Sequence, residues 1–269
     1  MKKIAVLGAN GFVGRSLARF LGQSYQVTPV TRDTLDMLDP IAVKVFLYEN
    51  EFDVILNCAA KMTDDIKLDD TRNNLGMFMN FYNNSNLFNK FINTGSGAEF
   101  DRSLDITNIK ESDLFYRMPK DSYGWGQNIK SRLCVDKLNF YNLRIFNCFG
   151  QGEIATRIFP RILEKSKLNE NLEITNDRYF DYFSIQDLCK VVDEFIINDH
   201  LVKDVNCVYM KKYKISEVIS MFASIHNLKN NIVVVSESGN NYTGDGNILK
   251  SLGIRLDGLE KGIKQYVYN

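Results

Sequence analysis

The sequence predicts a mixed α/β protein, a doubly wound parallel sheet with a small C-terminal lobe interleaved with its last elements. Three observations carry that expectation. A strand-sized apolar run, Ile4 to Leu7, leads directly into Gly8, Gly11 and Gly14 and then into an amphipathic helix. Strand-sized and helix-sized patterns alternate from there to Gly150, and such alternation feeds parallel strands joined by helical crossovers. After Gly150 the rhythm changes, which marks a second lobe. The expected division is a dinucleotide-binding domain over residues 1–150, with 180–210 returning to it, and a mainly substrate-binding lobe over 151–269.

The opening unit is MKKIAVLGANGFVGRS. Ile4-Ala5-Val6-Leu7 suits a buried strand, and Phe12 to Leu21 a helix with Val13, Leu17, Phe20 and Leu21 on one face. Between them, one glycine permits the tight turn, one lets backbone approach a pyrophosphate, and one lets helix pack on strand. The anion would rest on the helix N-terminus, where free N–H groups and the dipole favour it. This is the context that a dinucleotide fingerprint requires, so the domain is expected to be Rossmann-type. The plain alternative is a strand–turn–helix without a ligand.

The second strand, Tyr25 to Val30, ends in Thr31-Arg32-Asp33. An acidic residue there would bind the ribose 2′-hydroxyl of NAD, whereas an Arg accommodates the 2′-phosphate of NADP. Arg32, with Arg15 just past Gly14 as a second cation, favours NADP over a reading of Arg32 as a solvated loop residue. Asp39 and Pro40 open the next helix as N-cap and first-turn residue. Phe52 to Leu56 is the third strand, followed by Asn57-Cys58-Ala59-Ala60, small enough for a cofactor to lie close. Asp69 to Phe88 is a long helix carrying Asn73 and Gly76. Lys90 to Asn93 is the fourth strand, ahead of Thr94-Gly95-Ser96-Gly97. Asp121 to Lys137 is a helix containing Tyr123, and Phe140 to Phe146 is the fifth strand, ending in Asn147-Cys148-Phe149-Gly150. A polar, irregular stretch containing Pro160 is expected up to Arg178. Tyr179 to Ile185, the helix Asp187 to Ile197 and the strand Val205 to Met210 then return to the regular pattern. The remainder mixes helices at Ser216 to His226 and Gly258 to Tyr266 with one strand, Ile232 to Val235.

Composition excludes several classes of function. Lys+Arg 33 balance Asp+Glu 33, a poor match for a nucleic-acid or anionic-membrane binder. No apolar run approaches the ~20 residues of a membrane span. The first strand begins at residue 3, leaving no room for a signal peptide, so a cytoplasmic location is expected. Cys58, Cys134, Cys148, Cys189 and Cys207 lack metal-ligand spacing and read as reduced core residues, and with only two histidines no metal site is expected.

The chain resembles the extended short-chain dehydrogenase/reductases, and within them the nucleotide-sugar enzymes. The residues that carry this are Gly8-Ala9-Asn10-Gly11-Phe12-Val13-Gly14, Asn57-Cys58-Ala59-Ala60, Thr94-Gly95-Ser96, Tyr123-Gly124, Leu143-Arg144-Ile145-Phe146-Asn147, and Arg178 with Phe180-Asp181-Tyr182. The stretch Thr31 to Asp39, with Ala59-Ala60-Lys61, looks most like the GDP-L-fucose synthases and related 4-keto-sugar reductases, which use NADPH. The resemblance implies cofactor contacts at Asn10, Phe12, Val13, Asp36, Met37, Ala59, Ala60 and Asn73 besides the glycines and arginines above. It places the active-site Ser/Thr on Ser96 and the catalytic Tyr on Tyr123, although either residue alone would usually be ordinary surface or core. Hydride delivered to a ketone leaves an oxyanion, which a Tyr hydroxyl can protonate and a Ser hydroxyl can hydrogen-bond. Substrate contacts are implied at Ser96, Gly97, Asn147, Arg157 and Arg178. Arg178 suits a diphosphate, unless it is held in an ion pair with Asp187 or Asp181. The family often dimerises through helices equivalent to 69–88 and 121–137, so a homodimer is expected.

Departures from the family pattern are as informative. Tyr-x-x-x-Lys would place Lys at 127, where this chain has Gln127. One helical turn along, Gln127 faces Tyr123 and can still bind the nicotinamide ribose, but it brings no charge to lower the Tyr pKa. Lys130 lies about 10 Å along the axis at ~1.5 Å rise per residue. The Asp-Glu pair of the sugar 4,6-dehydratases corresponds to Gly97 and Ala98, and the Cys and His used in 3,5-epimerisation correspond to Gly97 and Arg157. What survives is reduction of the 4-keto group of a nucleotide-linked 4-keto-6-deoxy sugar, with GDP favoured, in surface-polysaccharide synthesis. The alternatives are a catalytically weak NADP-binding scaffold or regulator, and a nucleotide-sugar epimerase.

Overall fold

The computed structural model describes residues 1–60, 68–229, 232–236 and 239–267. Lys61, singled out above, lies outside the described residues. The chain runs through β1 (Lys3–Leu7), α1 (Phe12–Leu21), β2 (Gln26–Val30), α2 (Pro40–Asn50), β3 (Val54–Asn57), α3 (Leu68–Asn83) and β4 (Lys90–Ser96). There follow β5 (Ile106–Ile109), α4 (Ser122–Asp136), β6 (Phe140–Ile145), β7 (Cys148–Phe149), α5 (Ile158–Lys167) and β8 (Leu172–Ile174). The last elements are β9 (Phe183–Ser184), α6 (Ile185–Ile197), β10 (Asp204–Cys207), α7 (Ile215–Ile225), β11 (Ile232–Val234), β12 (Tyr242–Gly244), α8 (Asn247–Ser251) and α9 (Leu259–Lys264).

Six parallel strands form the central sheet in the order β10-β6-β4-β3-β1-β2. Parallel sheets are covered on both faces, and Ile4, Ala5, Val6 and Leu7 are accordingly all buried. On one face α1 and α6 pack Leu17, Leu21, Leu188, Val192 and Phe195 against the strands. On the other, Val43, Leu47, Phe78 and Phe81 join the stacked Phe91 and Phe140 rings, 4.5 Å apart. The strands after β2 grow on the opposite side of β1. This reversal opens a crevice at the carboxyl ends of β1 and β3, where ligands of such sheets bind. A third hydrophobic cluster gathers around Phe159, Phe222 and Ile263 from the C-terminal part of the chain.

Asp39 caps α2 as expected, accepting from the Ile41 and Ala42 amides. Three expectations need correction. Residues 151–178 are not irregular, because α5 and β8 lie within them. Pro160 sits in the first turn of α5, where no intrahelical donor is needed, and Phe159, Ile162 and Leu163 bury one face. The long third helix stops at Asn83, because Phe88 turns inward to pack 5.9 Å from Phe91. Phe20 is 36% exposed, since Leu17 and Leu21 already fill that helix face.

Beneath the carboxyl ends of the strands lies a buried polar layer. Asn57, Asn93, Asn142 and Asp204 share one register across β3, β4, β6 and β10. The Asn57 amide donates to Asn93 (2.8 Å) and the Asn93 amide to Asn142 (2.8 Å). Arg144, fully buried, donates to Glu99 (2.5 Å), Asp204 (2.6 Å) and Asn206 (2.8 Å). Burial drives the Glu99 carboxyl towards protonation and the Arg144 guanidinium opposes it. Replacing Arg144 with Met should leave two buried carboxylates facing one another and cost about 3–5 kcal/mol. An unchanged urea midpoint and slope would show that the pair does not carry the fold.

Candidate active site

The first part of the site is the β1–α1 turn. Gly8 has φ +74, and a Cβ there would lie 2.9 Å from the Ala59 Cα. Both constraints demand glycine and set Ala59 beside the turn, with exposed Ala60 following it. A Cβ on Gly14 would meet the Gly8 carbonyl at 2.3 Å. Gly11 caps α1 with no side-chain bond, and the first turn holds no acidic residue. The free amides at Phe12 and Val13 therefore face the crevice as an anion cradle, with Asn10 exposed at its lip. Arg32, Asp36, Met37 and Asn73 line one cavity of about 440 Å³. Arg32 is exposed, and the Asn80 amide holds the Met37 carbonyl at 2.8 Å. The structure does not bring Arg15 to Arg32. Arg15 donates to the Gly152 carbonyl (3.2 Å) and lines a separate cleft with Arg19 and Lys167. A glycine turn, an uncapped helix end and an exposed Arg32 lining the cavity of about 440 Å³ together fit NADP.

The second part is the end of β4. Ser96 starts a short 3₁₀ turn, Gly97–Glu99, in which the Ser96 hydroxyl accepts from the Ala98 amide (3.2 Å). Glu99 accepts from the Ser96 amide (2.8 Å) with the carboxyl oxygen not bonded to Arg144. Ser96 is thus bolted to the buried layer. Asp121 caps α4 by accepting from the Gly124 amide (2.8 Å). A Cβ on Gly124 would sit 2.5 Å from the Ala98 carbonyl, so glycine lets α4 approach the turn closely enough to bring Tyr123 to Ser96. Tyr123 and Ser96 line the same cavity. Burial raises the Tyr123 pKa above that of a free phenol, and the nearby Ser96 and Gln127 side chains only partly offset the rise. Gln127 is 3% exposed, and its Oε1 has no partner among the described residues. Lys130 is buried too, its pKa lowered to about 8 by desolvation against the opposing pull of Glu99.

A cavity of about 570 Å³ opens over this pair, lined by Ser96, Tyr123, Asn147, Arg157 and Arg178 among others. The sequence-derived substrate residues therefore converge, apart from Gly97, which is buried beneath the wall. The Asn147 side-chain Oδ1 accepts from the Arg157 guanidinium. Arg178 stands 5.5 Å from the Phe180 ring centroid, and its buried Nε has no partner among the described residues. It is not paired with Asp181 or Asp187, since those carboxylates are held by Lys212 (2.9 Å) and Lys190 (2.9 Å). Arg102, Lys120, Tyr242 and Asn241 also line the cavity, and none was singled out from sequence. The only sequence signal at Tyr242 is an aromatic residue inside a polar Asn-Asn-Tyr-Thr-Gly run, which looks like a loop.

The model of the NAD dependent epimerase/dehydratase family matches residues 4–207. No curated protein matches the sequence. Among solved structures, a GDP-mannoheptose C4 reductase from Campylobacter jejuni with NADP bound superposes with TM-score 0.85 at 22% identity, covering 98% of this chain and 96% of that one. A dTDP-4-dehydrorhamnose reductase from Bacillus anthracis in complex with NADP gives 0.85 at 18% identity, covering 99% and 98%. A GDP-L-fucose synthetase from Naegleria fowleri bound to NADP gives 0.84 at 14%, covering 98% and 91%.

Proposed function

The chain belongs to the NAD dependent epimerase/dehydratase family, and from that premise we propose that it is an NADPH-dependent reductase of the 4-keto group of a nucleotide-linked 4-keto-6-deoxy sugar. The nucleotide in this reading is GDP, and the product serves surface-polysaccharide synthesis. The observation that carries it is the Ser96–Tyr123 pair at the floor of a cavity whose rim offers Arg157 and Arg178 to a diphosphate. Reductases of GDP-linked sugars among the solved structures of the same fold support the choice of substrate. The proposed assembly is a homodimer through the exposed faces of α3 and α4, where Trp125 is 41% exposed.

In this reading the Gly8–Gly14 turn holds the pyrophosphate, and Arg32 meets the 2′-phosphate. Asp36, Met37, Asn73, Ala59 and Ala60 border the rest of the cofactor, with Gln127 near the nicotinamide ribose. The bound nicotinamide supplies a hydride to the carbonyl carbon. The protein's part is to place and neutralise the oxygen. Tyr123 gives its proton to the developing alkoxide, and Ser96 donates a hydrogen bond to the same oxygen. Epimerisation at carbons 3 and 5 lacks its acid/base pair at positions 97 and 157. A side chain at position 97 would strike the Tyr242 Oη at 2.5 Å and Phe146 Cδ1 at 2.6 Å, and Arg157 is no base at neutral pH.

Purified protein should oxidise NADPH when given a GDP-linked 4-keto-6-deoxy sugar. Ser96→Ala and Tyr123→Phe should each lower the rate by about 10²-fold or more with cofactor affinity nearly intact. No turnover across GDP-, dTDP-, CDP- and UDP-linked 4-keto sugars would sink the reading. A Tyr123→Phe enzyme of normal rate would remove Tyr123 from it.

NADPH should bind more tightly than NADH. Arg32→Ala should weaken NADPH selectively, by about 1–3 kcal/mol for a charge-assisted contact. Fluorescence titration showing equal losses for both cofactors would refute the role of Arg32.

A buried, protonated Tyr123 suits reduction at neutral pH, whereas the reverse oxidation needs the tyrosinate. Gln127→Lys puts a cation beside Tyr123, stabilises the tyrosinate and lowers the pKa. The alcohol-oxidation profile should therefore move to lower pH, while reduction near neutrality changes little. Superimposable oxidation profiles of the two enzymes would show that position 127 does not set the Tyr123 pKa.

A further inference from the structure

Helix α2 carries more apolar residues than the sheet can cover. Its sequence is PIAVKVFLYEN, and a helix packed on a sheet needs only one apolar stripe. Val43 and Leu47 supply that stripe in the core, and Phe46 packs 5.1 Å from Phe52. On the other face Ile41 is 73% exposed and Tyr48 76%, and Val45 and the preceding Leu38 are exposed with them. Positions 38, 41, 45 and 48 recur at the three- and four-residue steps of a single helix seam. Scattered exposed apolar side chains are ordinary, but a contiguous row marks a contact. Helix α2 joins β2, the edge strand, to β3, so this row is separate from the α3–α4 contact proposed above.

The charges around the row select what can cover it. Asp36, Asp39, Glu49 and Glu51 are exposed nearby, against Lys44. An anionic membrane surface calls for Lys and Arg beside the apolar face and does not fit. A second copy of the chain does. With Leu38 and Val45 at heptad positions a, and Ile41 and Tyr48 at d, Lys44 falls at g and Glu49 at the following e. Two such helices lying parallel about a two-fold axis set each Lys44 against the partner's Glu49, twice over. Antiparallel pairing would instead bring the two Lys44 side chains together. Within its own chain neither Lys44 nor Glu49 has an ion-pair partner among the described residues. We propose that this face is a self-association surface, on which α2 docks parallel to α2 of a second copy through Ile41, Val45 and Tyr48, flanked by Lys44–Glu49 pairs. A seam of so few side chains is smaller than the ~800 Å² per partner of a standard interface. The contact is therefore weak and concentration-dependent, and it does not rest on the reductase reading.

Sedimentation velocity of the full chain over a rising concentration series tests this. Wild type should shift to a heavier species as concentration rises. Val45→Glu should abolish the shift. Lys44→Glu sets Glu against Glu and should weaken the association about tenfold, and adding Glu49→Lys to it should restore the wild-type behaviour. These positions are exposed, and unchanged circular dichroism would show that the fold is intact. Trp125→Glu, which strikes the α3–α4 contact, should leave the concentration-dependent shift in place. A heavier species that survives Val45→Glu, or no recovery in the doubly reversed variant, would overturn the proposal. So would a wild-type mass independent of concentration, and co-sedimentation of that protein with phosphatidylcholine vesicles would assign the face to a lipid surface instead. No turnover is measured, so absence of NADPH oxidation would count against the reductase reading alone.

Discussion

The burial of Arg144 is the constraint on which the rest of the structure depends. A guanidinium sealed in the interior must have its donors met by acceptors in the right places. Glu99 and Asp204 meet it from two sides, and Asn206 and the Ser131 hydroxyl complete the set. Those partners come from the turn after β4, from β10 and from α4. One side chain therefore ties the late strand of the sheet, the turn that begins at Ser96 and the helix bearing Tyr123 to one another. Glu99 transmits the constraint outward through its bond to the Ser96 amide. The Ser96 hydroxyl, the proposed oxyanion donor, thus sits on a rigid, dry foundation rather than on a free loop, which is the arrangement a preorganised site requires.

Residues after Gly150 close one side of the cavity over Ser96 and Tyr123. Asp181, held by Lys212 at 2.9 Å, accepts from the Gly244 amide at 2.8 Å and so anchors the end of β12. Burial raises the Asp181 pKa to about 6, with Lys212 pulling the other way, and the pair still serves as the clasp between the 177–181 segment and β12. This clasp delivers Tyr242 to the floor of the cavity and leaves Arg178 at its rim. Residues from the C-terminal part of the chain therefore line the same cavity as Ser96 and Tyr123. Gln127 brings no charge to Tyr123, whose pKa burial raises and the Ser96 and Gln127 side chains lower only in part.

Much of this was legible in the sequence, for physical reasons. A buried parallel strand must be an apolar run, a backbone at φ +74 beside the Ala59 Cα must be glycine, and a helix after it must be amphipathic. Those local requirements show in single residues, so β1, the glycine turn, α1 and the order of the alternating elements could be read directly. The convergence of Ser96 and Tyr123 was inferred from a family pattern and not from geometry. Residues 151–178 were misread because Pro160 and the flanking polar residues look like a loop, whereas a proline in the first helical turn costs nothing.

What only the tertiary structure decided are the relations between distant segments. Arg144 reads as an ordinary charged residue until Glu99 and Asp204 are seen around it. Arg15 follows Gly14 in sequence yet faces Gly152 instead of the cavity that holds Arg32. Tyr242 becomes a neighbour of Ser96 only through the pairing of β12 with β5. Local sequence determined which strands and turns could form, because propensity and sterics act over a few residues. The partners of a buried charge or hydroxyl were decided by packing, because those partners come from elements far apart along the chain.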